Sequence, residues 1–389
     1  MINQYDKLMK YRPSFTPVKH KRKTPFAPKI EVGPDFNDRA QRIKELDFEL
    51  DRFVLTEKDY AELVLDAYST NIHWSTKIEG NPLSEAEVRR VTKEIMIEGN
   101  VEMKAGPIQE IVNHLLIFLS DTEATKVWNK EHVCAMHELL LQNTKTNAKI
   151  GEYRTIDSCV EEVGEYVFYP CPPEAIIEEM DSLLDWVTKS GPAYDPIVTA
   201  SVFFHEFESI HPFEDGNGRL GRSLFHMYLI SHGLKKSNLC KIDFELLQNS
   251  SLYYDILAYT DESQDYAPLI ELFSIAVRDA YENAVSSLSG KNLLSSSLDE
   301  NSKRLIIKAK HKHDWFDLKE AITWVDALGE QPVRDRLKQL QALGVLETQG
   351  KTKGLKFRFK VPFSDTLEAF RSLDHYDSTE GDGPDAKSH

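Results

Sequence analysis

His211-Pro212-Phe213-Glu214-Asp215-Gly216-Asn217-Gly218-Arg219-Leu220-Gly221-Arg222 is the stretch around which the rest of this 389-residue chain reads. Upstream, Ile197, Ala200, Phe204, Phe207 and Ile210 recur at spacings of three and four, which predicts an amphipathic helix from Pro196 ending near His211. Downstream, Leu220, Leu224 and Met227 carry a second apolar stripe toward Gly233, a helix stop. The stretch is therefore a helix–loop–helix joint. Gly216 and Gly218 can adopt positive φ, so backbone N–H groups can converge on an anion where the second helix presents the positive end of its dipole. Arg219 and Arg222 are three apart, share a helix face and can fork onto phosphate oxygens. Asp215 is a hard oxygen ligand of the kind Mg²⁺ takes when phosphates and waters complete its shell. His211, with an ordinary pKa of about 6.5, can accept a proton from a hydroxyl at neutral pH. These residue types in one loop and one helix turn point to phosphate chemistry.

Gly216-x-Gly218-x-x-Gly221 also satisfies the dinucleotide-binding glycine pattern. That pattern requires a preceding strand in a βαβ unit, and the residues before it are helical, so it is set aside. No G-x-x-x-x-G-K-[ST] occurs anywhere, which excludes a Walker-type nucleotide loop.

The twelve residues resemble the signature of the Fic domain, H-x-F-x-[DE]-G-N-G-R-x-x-R, at every fixed position. The resemblance implies a mainly α fold, a compact helical bundle with a small β-hairpin flap, and transfer of AMP from ATP to a Ser, Thr or Tyr hydroxyl of a protein. By that resemblance His211 deprotonates the target hydroxyl and Asp215 holds Mg²⁺ against the α- and β-phosphates. Asn217 and the amides around Gly216 and Gly218 hold the α-phosphate, while Arg219 and Arg222 take the β- and γ-phosphates. Phe213 is a packing anchor. The pair Tyr253-Tyr254 falls where the family builds its adenine-side wall, although paired tyrosines in a helix are more often core.

Tyr60, Leu63, Ala67, Trp74 and Ile78 give the segment from Thr56 to Glu79 a helical stripe, with Thr56 and Asp59 as a start box and Gly80 as a stop. Read alone, Glu79 is a solvated carboxylate in a last helical turn, opposing the macrodipole by a few tenths of a kcal/mol, roughly. Fic proteins often carry an inhibitory helix with the pattern [ST]-x-x-x-E-[GN], matched here by Ser75, Glu79 and Gly80. The resemblance then implies that Glu79 pairs with Arg222, obstructs productive seating of the γ-phosphate and leaves the protein switched off. Some family members also use such a Glu to position water for removing AMP.

From Gly151-Glu152-Tyr153-Arg154 onward, Ile156 to Val160 and Tyr166 to Tyr169 flank Glu161-Glu162-Val163-Gly164 as a short hairpin before Pro170. This matches the family's flap, whose edge aligns the target by strand addition.

Composition fits a soluble intracellular enzyme. Hydrophobic residues make up 41% of the chain with no long apolar run, enough for a core but not a membrane span. The N-terminus is polar and basic, without a secretory apolar segment. Cys134, Cys159, Cys171 and Cys240 form no C-x-x-C pair, so reduced thiols and a cytoplasmic location are expected.

The expected organisation is an arm over residues 1–36, a Fic domain over 37–285 including an inhibitory helix at 56–80, a Ser-rich linker at 286–300, a C-terminal domain at 301–362 and a disordered acidic tail at 374–389. Residues 301–360 hold 14 Lys or Arg against 7 Asp or Glu, a net of +7 in a chain of net −16, so the remainder stands at −23. Helices are predicted from Ser302, Leu318 and Gln331. Leu355, Phe357 and Phe359 then alternate with cations after a Gly350-to-Gly354 turn. This pattern resembles a winged helix–turn–helix. Such a module suggests duplex DNA, with Arg334, Lys338, Lys351 and Lys353 near phosphates, although winged helices also mediate protein contacts and dimerisation.

The favoured expectation is thus a self-inhibited protein adenylyltransferase with ATP and Mg²⁺, acting on an unidentified target protein or on itself, and forming a homodimer by resemblance. The alternatives are a DNA-binding regulator that uses the Fic fold as a nucleotide sensor, and an enzyme that removes AMP or transfers another nucleotide such as UMP.

Overall fold

The computed structural model describes residues 4–14, 17–53, 55, 57–96, 106–119, 128–162, 165–289, 298–312, 314–325, 328–351 and 354–360. The tail at 374–389, residues 290–297 of the expected linker, Thr56 of the expected helix start and Lys353 lie outside the described residues. Packing divides the chain into two compact units. One comprises Met1–Asp51, Asp66–Thr92 and Glu102–Ser287, the other Arg52–Leu65, Lys93–Val101 and Leu288–His389. The boundaries expected from sequence were linear cuts. Packing instead assigns two internal stretches to the second unit, because compactness follows contact in space and not chain order.

The first unit is mainly helical. Its helices are α1 (Phe36–Arg52), α2 (Glu57–Lys77), α3 (Glu85–Met96), α4 (Pro107–Leu119), α5 (Lys130–Leu141), α6 (Ile176–Lys189), α7 (Pro196–Ile210), α8 (Asn217–Ser231), α9 (Ile242–Leu247), α10 (Ser250–Ser263) and α11 (Ala267–Ser289), with Arg52 of α1, α2 up to Leu65, α3 from Lys93 and α11 from Leu288 belonging to the second unit. α7 begins where sequence places it because Pro196 suits the first turn and Asp195 accepts a hydrogen bond from the Ile197 amide. Nearly every α7 side chain is buried, so this helix runs through the core. Phe204 of α7 and Phe225 of α8 meet Phe273 of α11 at ring-centroid distances of 5.3 and 5.0 Å. Arg39 on α1, almost fully buried, forks onto Glu271 at 2.6 Å and Ser274 at 2.8 Å on α11. α11 extends to Ser289, into the stretch expected as linker. No helix among the described residues is long and apolar enough to cross a membrane.

A small sheet packs against α10 through its edge strand. Strands β2 (Val160–Glu162) and β3 (Glu165–Tyr169) pair antiparallel, whereas Ile156 to Cys159, expected to be strand, are not. The Val163-Gly164 turn lies outside the described residues. Strand β1 (Val18–Lys19) from the arm pairs parallel with β3, Val18 opposite Phe168 and Lys19 opposite Tyr169, giving the order β1-β3-β2. The arm is thus the third strand of the sheet, a pairing no local pattern announces.

In the second unit, helices Glu300–Lys312, Leu318–Thr323 and Glu330–Ala342 precede an antiparallel pair of strands, β4 (Leu346–Gln349) and β5 (Lys356–Phe359). Asp317 caps the second helix by accepting from the Glu320 amide at 2.9 Å. Phe316 exchanges backbone hydrogen bonds of 2.8 Å with Phe357, adding a one-residue bridge to the hairpin. The core joins Leu305, Ile306, Phe316, Val333, Leu337 and Phe357, with Leu355 and Phe359 half-buried against it.

Leu224, fully buried in α8, provides a direct check on the core of the first unit. Leu224→Ala is expected to lower unfolding free energy by about 2–5 kcal/mol, measured as a shift in the urea midpoint at unchanged slope. A loss below about 1 kcal/mol would contradict its place in the core.

Candidate active site

The chain reverses between α7 and α8 through a residue that ordinarily avoids such a backbone. His211 takes a left-handed conformation with φ 52° and ψ 61°, costing of order 1 kcal/mol or more for a non-glycine residue. Its surroundings leave it no alternative. The His211 amide donates to the Phe207 carbonyl at 2.9 Å, and the Arg154 amide donates to the Pro212 carbonyl at 2.8 Å. The buried Arg154 guanidinium donates to the carbonyls of His211 at 2.7 Å, Ile156 at 2.8 Å, Ile210 at 3.3 Å and Cys171. An arginine spent on backbone carbonyls is a clamp. Sequence reading took Arg154 only as the head of the flap.

Two further side chains close the loop. Asn217 accepts from the Phe213 amide at 3.0 Å and returns a bond to the Phe213 carbonyl at 2.9 Å. His137 of α5 donates through Nε2 to the Asp215 carbonyl at 2.9 Å, accepts at Nδ1 from the Gly151 amide at 2.9 Å, and stacks on Phe213 with centroids 3.7 Å apart. Phe213 is the packing anchor expected. His137 was missed, since a lone histidine on a helix gives no sign of a partner far along the chain.

Gly216 caps α8 with φ 81°, a conformation that favours glycine. The first-turn amides of Asn217, Gly218 and Arg219 have no intrahelical acceptor and face an anion site. Glu79 stands beside this helix start. The bonds Glu79 N–H to Thr76 O at 3.1 Å and Gly80 N–H to Lys77 O at 3.0 Å carry the turn after α2, so Glu79 hangs beyond the helix, not in its last turn as sequence suggested. Its Oε1 lies 2.7 Å from an Arg222 nitrogen. A Cβ added to Gly218 would collide with that oxygen and stand 3.2 Å from the carboxyl carbon, so glycine makes room for the carboxylate. Ser75 completes the contact, its Oγ and its carbonyl each accepting from Arg222 at 2.8 Å. Burial alone would depress the Arg222 pKa, but the Glu79 charge and hydrogen bond, with Tyr253 and Asp243, together outweigh it and hold the guanidinium ionised.

Arg219 turns the other way. It pairs with Asp215 at 2.7 Å and lies 3.5 Å from Glu110, which also accepts from Asn81 at 3.0 Å. Asp215 accepts in addition from Thr146 at 3.0 Å. Its carboxylate is 42% exposed, which suits Mg²⁺ held by one carboxylate together with phosphates and waters. No group of three or more His, Cys, Asp or Glu side chains able to hold a metal occurs among the described residues.

His211 Nδ1 lies 3.3 Å from the Glu208 carbonyl, an interaction that makes Nδ1 the protonated nitrogen and leaves Nε2 as a lone-pair acceptor. Desolvation, aided by the Arg154 charge, brings its pKa down to about 4. Glu208 itself is a further group the sequence did not flag. Burial pushes its carboxyl up to about 8, Glu79 and Asp261 adding to the shift against Arg222.

The structure brings together His211, Asp215, Gly216, Asn217, Gly218, Arg222, Ser75 and Glu79. Tyr253, 1% exposed, packs against Phe204 and reaches the site through its hydroxyl, which faces Arg222. Tyr254, its ring 5.2 Å from that of Tyr253, is on the exposed side of α10.

Fold and site together define a helical protein with a histidine in the turn that leads into a glycine-capped helix N-terminus. The family model of the Fic/DOC family matches residues 127–229. A Fido domain-containing protein of Dictyostelium discoideum is 30% identical over 140 residues, covering 36% of this chain and 93% of that protein. Protein adenylyltransferase fic-1 of Caenorhabditis briggsae is 26% identical over 175 residues, 44% of this chain. The chain spans only 33% of the length of that relative. A crystal structure of a Fic family protein from Desulfovibrio desulfuricans G20 superposes with a TM-score of 0.56 at 22% identity, covering 86% of this chain and 98% of that one. The chain belongs to the Fic/DOC family.

With its pKa near 4, His211 is neutral throughout the neutral range and gains its proton only in acid. Its ring carbon resonance, assigned by difference from His211→Gln, is expected to titrate near pH 4. A midpoint at the ordinary value of about 6.5 would contradict the burial described.

Proposed function

We propose that this chain is a self-restrained protein adenylyltransferase that transfers AMP from ATP to a Ser, Thr or Tyr hydroxyl. The observation that carries the reading is the Glu79 carboxylate paired with Arg222 above Gly218, in a cradle that also presents His211 and Asp215. A carboxylate and a phosphate compete for the same guanidinium. In the reaction proposed, His211 Nε2 takes the hydroxyl proton as the oxygen attacks the α-phosphorus. The bond from that phosphorus to the bridging oxygen of pyrophosphate breaks, and AMP remains on the target as a phosphodiester. The first-turn amides of α8 would neutralise charge on the α-phosphate, and Arg222, once released by Glu79, would take the distal phosphates. Asp215 would hold Mg²⁺, which supplies charge neutralisation between the phosphates. Arg219 would have to part from Asp215 to reach phosphate, so it serves Asp215 first. Several relatives bear the name protein adenylyltransferase, which supports the class of reaction.

The test is incorporation of α-labelled ATP into the purified protein with Mg²⁺. Glu79→Gly is expected to raise labelling about tenfold or more over wild type, equivalent to about 1.4 kcal/mol of relieved competition, and adding His211→Ala to abolish it. Labelling that ignores His211→Ala would remove the base role. If the three proteins all fail to label with ATP while UTP labels Glu79→Gly, the reaction is transfer of another nucleotide.

For the C-terminal unit we propose a winged helix that binds duplex DNA. Helix Glu330–Ala342 buries Val333, Leu337 and Leu340 and exposes Gln331, Arg334 and Lys338 on its other side. Among the described residues, Lys319, Lys338, Lys351 and Lys356 are exposed and in no ion pair, so phosphate contact would break none. A mobility shift on duplex DNA is expected to weaken with salt, and each of Lys338→Ala and Lys351→Ala to reduce the log–log slope by about 0.9. No shift at low salt would leave this unit as a protein-contact module.

A further inference from the structure

Within the arm's run Lys19-His20-Lys21-Arg22-Lys23, His20 and Lys23 turn inward while Lys19, Lys21 and Arg22 stay exposed. His20 is buried, and its Nδ1 lies 2.8 Å from Ser209 Oγ, which itself donates to Asp261 at 2.5 Å. Ser209 therefore accepts from His20, whose Nδ1 carries the proton. Lys23 Nζ donates to both Glu206 oxygens at 2.6 and 2.8 Å, and Tyr266 donates to the same carboxylate at 2.6 Å. Glu179 receives the Lys23 amide at 3.0 Å and the Thr24 hydroxyl at 2.7 Å. Three carboxylates, Glu179, Glu206 and Asp261, are thereby buried to 3, 2 and 5% exposure around one end of α7. Buried charges of this kind persist only when paired and hydrogen-bonded, and the arm supplies most of their donors.

Two of these contacts bear on His211. Glu206 and Ser209 lie in the last turn of α7, the turn that delivers His211 in its left-handed conformation. The Ser209 carbonyl also accepts from the Cys171 amide at 3.4 Å, and Cys171 is one of the carbonyl groups held by Arg154. On the other side, β1 pairs with β3, and the His20 amide donates to the Tyr169 carbonyl at 2.9 Å, two residues before Cys171. The arm thus braces the His211 turn directly through Ser209 and indirectly through β3 and the Arg154 clamp.

We propose that arm segment Val18–Thr24 is part of the catalytic apparatus, with His20 and Lys23 as positioning residues that fix the turn carrying His211. Displacing the arm would slow the chemical step and leave nucleotide affinity alone, since neither residue faces the α8 cradle. As a role in catalysis this rests on the adenylyltransferase reading; as an effect on His211 geometry it does not.

The experiment uses the full chain in the Glu79→Gly background, with His20→Leu, which removes the donor, and His20→Asn, whose amide nitrogen reproduces the Nδ1 donor. His20→Leu is expected to lower kcat for AMP transfer by about tenfold to a hundredfold, the scale of a displaced catalytic group, with KM for ATP within about twofold. His20→Asn should restore kcat to within about threefold of the parent. Lys23→Met is made in parallel, and if it fails to fold the His20 series decides. Unchanged kcat in folded His20→Leu, a change confined to KM, or His20→Asn as impaired as His20→Leu would overturn the proposal. If the Glu79→Gly parent transfers no AMP, the adenylyltransferase reading fails separately. The positioning claim is then read from the His211 ring resonance, which should shift in His20→Leu and return in His20→Asn; a resonance unmoved in both overturns it.

Discussion

The amide groups that open α8 have no carbonyl to receive them, and this is the constraint from which the rest of the site follows. A helix start of this kind favours an anion nearby. The Glu79 carboxylate stands beside it, brought by the turn after α2 to within 2.7 Å of Arg222 and seated where only glycine leaves room at position 218. The chemistry proposed for the protein uses the same vacancy for phosphate. On the proposed reading, restraint and turnover would compete for the same guanidinium, and the competing carboxylate is already 33% exposed.

Around that niche, strong donors are spent on backbone. Arg154 places its guanidinium on carbonyl oxygens, His137 links Gly151 to Asp215, and Asn217 closes on Phe213. None of these groups needs to touch a substrate for the geometry to depend on it. They hold His211 in a conformation its own backbone disfavours, and burial then keeps its imidazole neutral. The arm continues the same scheme outward, with Lys23 and His20 satisfying carboxylates and a hydroxyl beneath the turn.

The helices flanking the motif were legible in sequence because their signals are local. Pro196 and Gly233 bound an apolar spacing of three and four, and the structure follows it to the residue at α7. The dinucleotide-type glycine pattern could be rejected for the same reason, since what precedes it is helical. The flap was only partly legible, because β2 starts at Val160 and the third strand comes from residues about 150 positions away in sequence. Tyr253 and Tyr254 were opaque, as two adjacent helical residues point to different faces and only packing tells which is inside.

The sequence by itself determined the chemical kit: a base, a hard carboxylate, glycines and two arginines at fixed spacing on a helix–loop–helix joint. It also determined which chain segments would be helical, since periodicity and caps act over a few residues. Only the tertiary structure decided how the kit is used. It set Arg222 against Glu79 across 143 positions and turned Arg219 onto Asp215. It also buried Tyr253 and drew the basic arm into the core of the first unit. Each of these is a choice of electrostatic partner or of burial, and such choices depend on distances between residues that the chain's local order does not set.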